Sequence, residues 1–189
     1  MRMPARMTLA ALVATLVALV AAPTAIAKFQ LRVLGLQPGQ RFGINQVYNG
    51  FGCTGHNLSP ALRISGLPVH TESLAITIHD PDAATQSGWW HWLIYDLRTS
   101  TKQLAEGAGT PGRAPLPAGT RQGPNDFGTL GYGGVCAPAG DRPHRYHVTL
   151  WALKVSTLAA PPGASAALID YMIEANAIAH RTVIVRYSR

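Results

Sequence analysis

Three residues stand out for chemistry: Asp80, which opens Asp80-Pro81-Asp82; His91, within Trp89-Trp90-His91-Trp92; and His144, which opens His144-Arg145-Tyr146. A carboxylate that accepts an imidazole N–H fixes the ring's tautomer and favours its cationic form. Each imidazole can donate a hydrogen bond and, when protonated, carry a charge. Between the two histidines lies Tyr132-Gly133-Gly134-Val135-Cys136. Glycine lets backbone N–H groups come close to an oxyanion, and the indoles can wall the space. These residue types suit a small anion site. A plainer reading stands level with it: Asp80 stabilises a turn with Pro81, and the histidines are strand residues with satisfied nitrogens. A third reading takes Asp80, His91 and His144 as the acid–base set of a hydrolase. That enzyme needs an activated serine. Ser59 and Ser87 are nearest in sequence, but Ser59-Pro60 has turn chemistry and no Gly-x-Ser-x-Gly elbow occurs.

Other motifs carry less than their spelling suggests. Gly50-Phe51-Gly52-Cys53-Thr54-Gly55 matches a dinucleotide fingerprint, yet Asn57 and Pro60 follow and no helical period begins. Asp126-Phe127-Gly128 spells a kinase triplet without the accompanying kinase motifs. His144 and His147 are three apart on an expected strand, so they face opposite sides and do not jointly ligate a metal. Nothing calls for a cofactor. Basic residues are scattered, without the stripe and stacking aromatics of a nucleic-acid surface.

The elements that must position these residues are mostly strands. Leu74, Ile76 and Ile78 alternate with Ala75, Thr77 and His79, and Tyr146, Val148 and Leu150 alternate with His147, Thr149 and Trp151. His91–Tyr95 is rich in aromatic and β-branched residues, and Phe29–Leu34 and Thr182–Tyr187 are shorter candidates. One helix is expected over Ala166–His180, capped by Ser165. Its apolar stripe is Leu168, Tyr171, Met172, Ala175 and Ala179. Residues 105–143 are rich in Gly and Pro and read as a long loop excursion.

The 189 residues are 47% apolar and 13% charged, with 19 Gly and 14 Pro. That excludes a disordered chain and argues against a helical bundle. Part of the apolar excess is local. Arg2 and Arg6 precede an apolar run from Met7 to Ala22, then Pro23 and Ala25-Ile26-Ala27. This is the pattern of a cleavable signal peptide over residues 1–27, which leaves residues 28–189 as one domain, periplasmic or secreted. Its removal takes two arginines from the formal +7. The remaining basic excess favours anionic ligands or surfaces, a membrane surface included, over nucleic acid. Export also changes the reading of Cys53 and Cys136. In an oxidising compartment they pair as a disulfide, and two buried free thiols are the alternative.

Five motifs in combination resemble a known family: Asn57-x-Ser59-Pro60-x-Leu62; Asp80-Pro81-Asp82-Ala83; Gly88-Trp89-Trp90-His91-Trp92; Asn125-Asp126-Phe127-Gly128; and Gly140-Asp141-x-Pro143-His144-Arg145-Tyr146. The chain resembles the phosphatidylethanolamine-binding proteins, in particular the exported two-cysteine members of their bacterial Raf-kinase-inhibitor-like branch. The resemblance implies a mainly β fold, with a large antiparallel sheet packed on a smaller one and a C-terminal helix before the last strand. It implies a non-enzymatic protein with a small pocket for phosphate-like or headgroup-like anions, acting as an inhibitor or modulator of a protein such as a protease. Carried over, the pocket residues are Asp80, Trp90, His91, Gly134, Cys136, His144 and Tyr146. Ala84, Val135 and Ala137 stand where the family usually has proline, and Ile64 where it commonly has tryptophan. Losing two fixed φ angles at Val135 and Ala137 is expected to loosen the pocket lip.

Overall fold

The computed structural model describes residues 28–37 and 39–189. The expected signal peptide lies outside them. Strand β1 (Gln30–Val33) pairs with β2 (Leu62–Ser65), and β2 with β5 (Gln103–Leu104), all antiparallel. The larger sheet has the order β6-β4-β3-β7-β8, from β6 (Arg121–Gln122), β4 (Trp89–Leu97), β3 (Ser73–Asp80), β7 (His144–Leu153) and β8 (Ala177–Tyr187). Every pair in it is antiparallel. Helix α1 (Ala166–Asn176) leads directly into β8. The fold is the mainly β architecture expected from the sequence.

Alternation along the central strands reaches two cores. Ile76 and Ile78 of β3 meet Trp92 and Ile94 of β4, Tyr146 and Val148 of β7, and Leu31, Leu62 and Ile64 from the smaller sheet. On the opposite face Ala75, Leu93, Tyr95 and Leu153 pack under Ile169 and Ile173 of α1. The sheet is therefore covered on both sides, and β3 is buried at nearly every position rather than at alternate ones. Each fully buried Leu or Ile contributes about 1.5–3 kcal/mol of apolar transfer, an upper figure given residual burial in the unfolded chain.

The helix differs from expectation in length and face. The Ser165 hydroxyl accepts the Leu168 N–H at 3.2 Å, as an N-cap should. The buried stripe, however, is Ala166, Ile169 and Ile173. Leu168 is 40% exposed and Tyr171 67% exposed, so neither is core. Met172 packs at the margin of the outer core. The helix stops at Asn176 because residues from Ala177 onward pair with β7, Ala179 opposite Ala152. A long strand partner outweighs the helical period there.

Residues 105–143 are nearly devoid of regular structure, β6 apart. They are nonetheless anchored. Asn125 donates to Thr129 and Gly131 and accepts from the Phe127 N–H. Ser59, buried, accepts the Gly109 N–H at 2.8 Å.

Candidate ligand-binding site

A β-bulge aims one of the three chemically interesting residues. Ile78 faces Trp92 and His79 faces Trp90, so β4 carries one extra residue, His91. A bulge lets its residues escape strict alternation. His91 thereby joins Trp92 on the inner face, against the Tyr146 ring at 5.1 Å. Trp90 turns to the outer face and lies on His79, ring centroids 3.6 Å apart. Asp80 ends β3 opposite Trp89, and His144 begins β7. These strand ends bring Asp80, Trp89, His91 and His144 together at one rim of the larger sheet.

Asp80 and His144 are both 3% exposed. The His144 Nδ1–H donates to Asp80 Oδ2 at 2.7 Å, and His144 Nε2 lies 3.4 Å from Asp141 Oδ2. The other Asp80 oxygen accepts the Asp82 N–H at 2.9 Å, closing an Asx turn over Pro81. Both sequence readings of Asp80, turn and site, hold at once. Asp82 takes a two-pronged grip from Arg145, Nε and Nη2 each at 2.8 Å, plus the Arg145 backbone N–H at 2.9 Å. The Arg145 hydrogen bonds hold the Asp82 carboxyl well below the usual carboxylate range.

His91 donates from Nδ1 to the carbonyls of Gly133 at 2.8 Å and Gly134 at 3.0 Å. Those bonds fix the tautomer and leave Nε2 for other partners. Burial lowers its pKa to about 4, so the ring is neutral at pH 7. The glycine loop is held in return: the Gly133 N–H donates to His91 O at 2.8 Å, and the Gly134 N–H to Asn57 Oδ1 at 2.6 Å. A Cβ on Gly134 would sit 2.4 Å from the Tyr48 nitrogen, so only glycine fits. Tyr146 is fully buried behind His91, its hydroxyl without a partner among the described residues, and burial pushes the phenol up.

These residues border a cavity of about 370 Å³. Of the sequence-derived set, Asp80, His91, Cys136 and His144 line it. Gly134 and Tyr146 stand behind His91, and Trp90 faces away, with Trp89 as the wall in its place. The sequence reading missed Phe51, Thr85, Phe127 and Arg189, which also line the cavity. Phe51 and Gly52, at φ +51 and +76, form the tip of a tight Gly50–Cys53 turn. The dinucleotide-like spelling is thus a hairpin, not a phosphate cradle. Phe127, from the kinase-like triplet, stacks on Tyr48 at 3.9 Å and meets Trp89 and Phe51 edge-on. Phe51 had no local signal of its own, and Phe127 lay in the Asn125-Asp126-Phe127-Gly128 motif without being assigned to the pocket.

Cys53 and Cys136 form a disulfide, joining the Phe51 turn to the glycine loop. The lip is tied where the missing prolines stood. The Val135 N–H donates to Gln46 O at 3.0 Å and its carbonyl accepts the Tyr48 N–H at 3.1 Å. Proline at that position would lose the first bond. The hydrolase reading finds no serine here: Ser59 is spent on the loop backbone, and Ser87 is absent from the cavity wall. Among the described residues no group of His, Cys, Asp and Glu is arranged to hold a metal ion.

Comparison with known proteins agrees with this geometry. The family described as "Phosphatidylethanolamine-binding protein" matches residues 36–188. The UPF0098 protein YbcL of Escherichia coli K12 is 42% identical over 168 residues, covering 89% of this chain and 92% of YbcL. YbhB of the same organism is 36% identical, covering 81% and 96% respectively. The crystal structure of E. coli YbcL, described as a new member of the mammalian PEBP family, superposes with a TM-score of 0.81 over 85% of this chain and 98% of that one. The homologue CT736 from Chlamydia trachomatis has a TM-score of 0.68 at 26% identity, covering 85% of this chain and 97% of that one. Matched by the family model over residues 36–188, by relatives in sequence and by the YbcL crystal structure in fold, the chain belongs to the phosphatidylethanolamine-binding protein family, whose members bind ligands rather than catalyse reactions.

Proposed function

We propose that this protein is exported and that its cavity receives a small phosphorylated or phospholipid-headgroup-like anion, through which it modulates a protein partner outside the cytosol. The observation that carries the reading is the meeting of the buried Asp80–His144 pair, the neutral His91 and the aromatic walls in one cavity of about 370 Å³. A polar base with apolar walls selects a compact charged group attached to something less polar. The basic leader followed by Ala25-Ile26-Ala27 supports export. Export suits an extracellular partner such as a protease better than an ATP-dependent kinase.

The test is NMR of the His91 and His144 rings with phosphate or O-phosphoethanolamine. Both rings shift if the cavity is the site, and His144→Ala removes the response while the protein stays folded. Unchanged resonances at millimolar ligand overturn the anion reading. Intact mass of the exported protein tests the rest. A chain starting at Lys28 is expected, and a full-length mass contradicts export.

A further inference from the structure

The cavity poses a charge problem for any anion. Asp80 brings a carboxylate to its base, and His91 is neutral at pH 7. Nearby cations are committed elsewhere: Arg145 grips Asp82 at 2.8 Å, and Arg142 reaches the same carboxylate at 3.2 Å. Among the described residues lining the cavity, Arg189 is the one with a permanent positive charge. Its Nε donates to Ala137 O at 2.9 Å and its Nη1 donates to Gly52 O. Ala137 follows Cys136 and Gly52 precedes Cys53, so the guanidinium straddles the disulfide. Nη2 has no protein acceptor among the described residues. The guanidinium lies close against the turn, Nη1 being 3.2 Å from where a Cβ on Gly52 would stand.

We propose that Arg189 is a ligand-contacting and specificity-determining residue: its free Nη2 edge holds the charge of an oxyanion, and the carbonyls of Gly52 and Ala137 beside the disulfide position it. The inference rests on the anion-binding reading of the cavity. It adds that the ligand presents an oxyanion, a phosphate or sulfate group, rather than a neutral polar head, because the guanidinium offsets the Asp80 carboxylate and its remaining N–H groups make their strongest hydrogen bonds to a charged oxygen. Arginine serves here better than lysine, since one planar fork satisfies two carbonyls and still presents a donor.

The experiment follows the Arg189 Nε–H signal and the His91 and His144 rings of the wild-type protein while inorganic phosphate, then sulfate, is added. The expected result is a joint shift of all three, with R189Q binding either anion at least tenfold more weakly and R189K falling between. If the histidines shift and the Arg189 signal does not, Arg189 is not a ligand contact and the proposal falls, while the cavity keeps its anion. If R189Q remains folded, judged by unchanged Ile173 methyl signals in the far core, and binds as tightly as wild type, the proposal falls likewise. If nothing shifts in the wild-type protein, the anion reading itself fails and takes this one with it. The wild-type titration decides even if R189Q does not fold.

Discussion

Asp82 holds Arg145 by three hydrogen bonds immediately beside the buried contact between Asp80 and His144. The two pairs join the same two segments, one residue of each pair on the Asp-Pro-Asp turn and the other at the start of β7. In the outer pair Arg145 faces solvent while the Asp82 side chain is nearly covered; in the inner pair both side chains are buried. The outer clamp thus sets the separation of the strand ends that carry the inner one.

Asp82→Asn removes the charge and one prong of the clamp. Because the Arg145 side chain is exposed, little stability is lost. The expected result is a small fall in melting temperature with a several-fold loss of phosphate affinity, measured by calorimetry on one preparation. Unaltered affinity would show that the turn holds itself.

The inner pair is a coupled unit. Asp80→Ala leaves a buried imidazole without its carboxylate and is expected to cost about 3 kcal/mol. The double variant Asp80→Ala/His144→Ala is expected to cost less than the two single changes together. Urea unfolding of all four proteins closes the cycle. Strict additivity would mean that the 2.7 Å contact carries no coupling.

His91 predicts a pH slope. Its ring titrates at an ordinary 6.5 when unfolded and about 4 when folded, so the unfolded chain binds more protons between these values. Its contribution is complete above pH 6.5 and is lost as pH falls toward 4, about 3 kcal/mol in all. His79 and His147, also lowered by burial, act in the same direction. Asp170, raised to about 6 by burial and by Glu174, opposes them. Unfolding free energies at stepped pH should flatten in His91→Asn, whose amide can still donate to the Gly133 carbonyl. An unchanged slope assigns it to the other histidines.

The disulfide closes a loop spanning 83 positions, for which chain entropy gives about 4.5 kcal/mol as an upper figure. Cys53→Ser/Cys136→Ser should therefore lose up to that amount in urea unfolding. It should also weaken phosphate binding, because the Phe51 turn and the Arg189 seat are anchored through it. Loss of stability with full affinity would separate the bridge from the cavity.

Asp80, His91 and His144 were legible because their residue types are costly to bury without purpose, and the alternation around them marked the strands. The side chosen by Trp90 was not legible. Parity along Trp89–Trp92 is broken by the bulge, and no residue type in that run announces one. Phe51 and Arg189 were invisible for another reason: each is unremarkable locally, and only the disulfide and the end of β8 bring them to the same cavity. The helix face was misplaced because Ile169 and Ile173 compete with Leu168 and Tyr171 at almost the same spacing. Which stripe lies down is decided by the outer face of the sheet, where Ala75 and Leu93 leave room for the isoleucines.

The extra residue in β4 also makes the pocket separable from the scaffold. With His91 deleted, Trp90 and Trp92 would still face His79 and Ile78, now in consecutive register, and the inner core would lose none of its aliphatic members. A sandwich of this kind can thus gain or shed a binding residue through a single-codon insertion at its rim, with the cost falling on the glycine loop that His91 anchors and not on the aliphatic layer beneath.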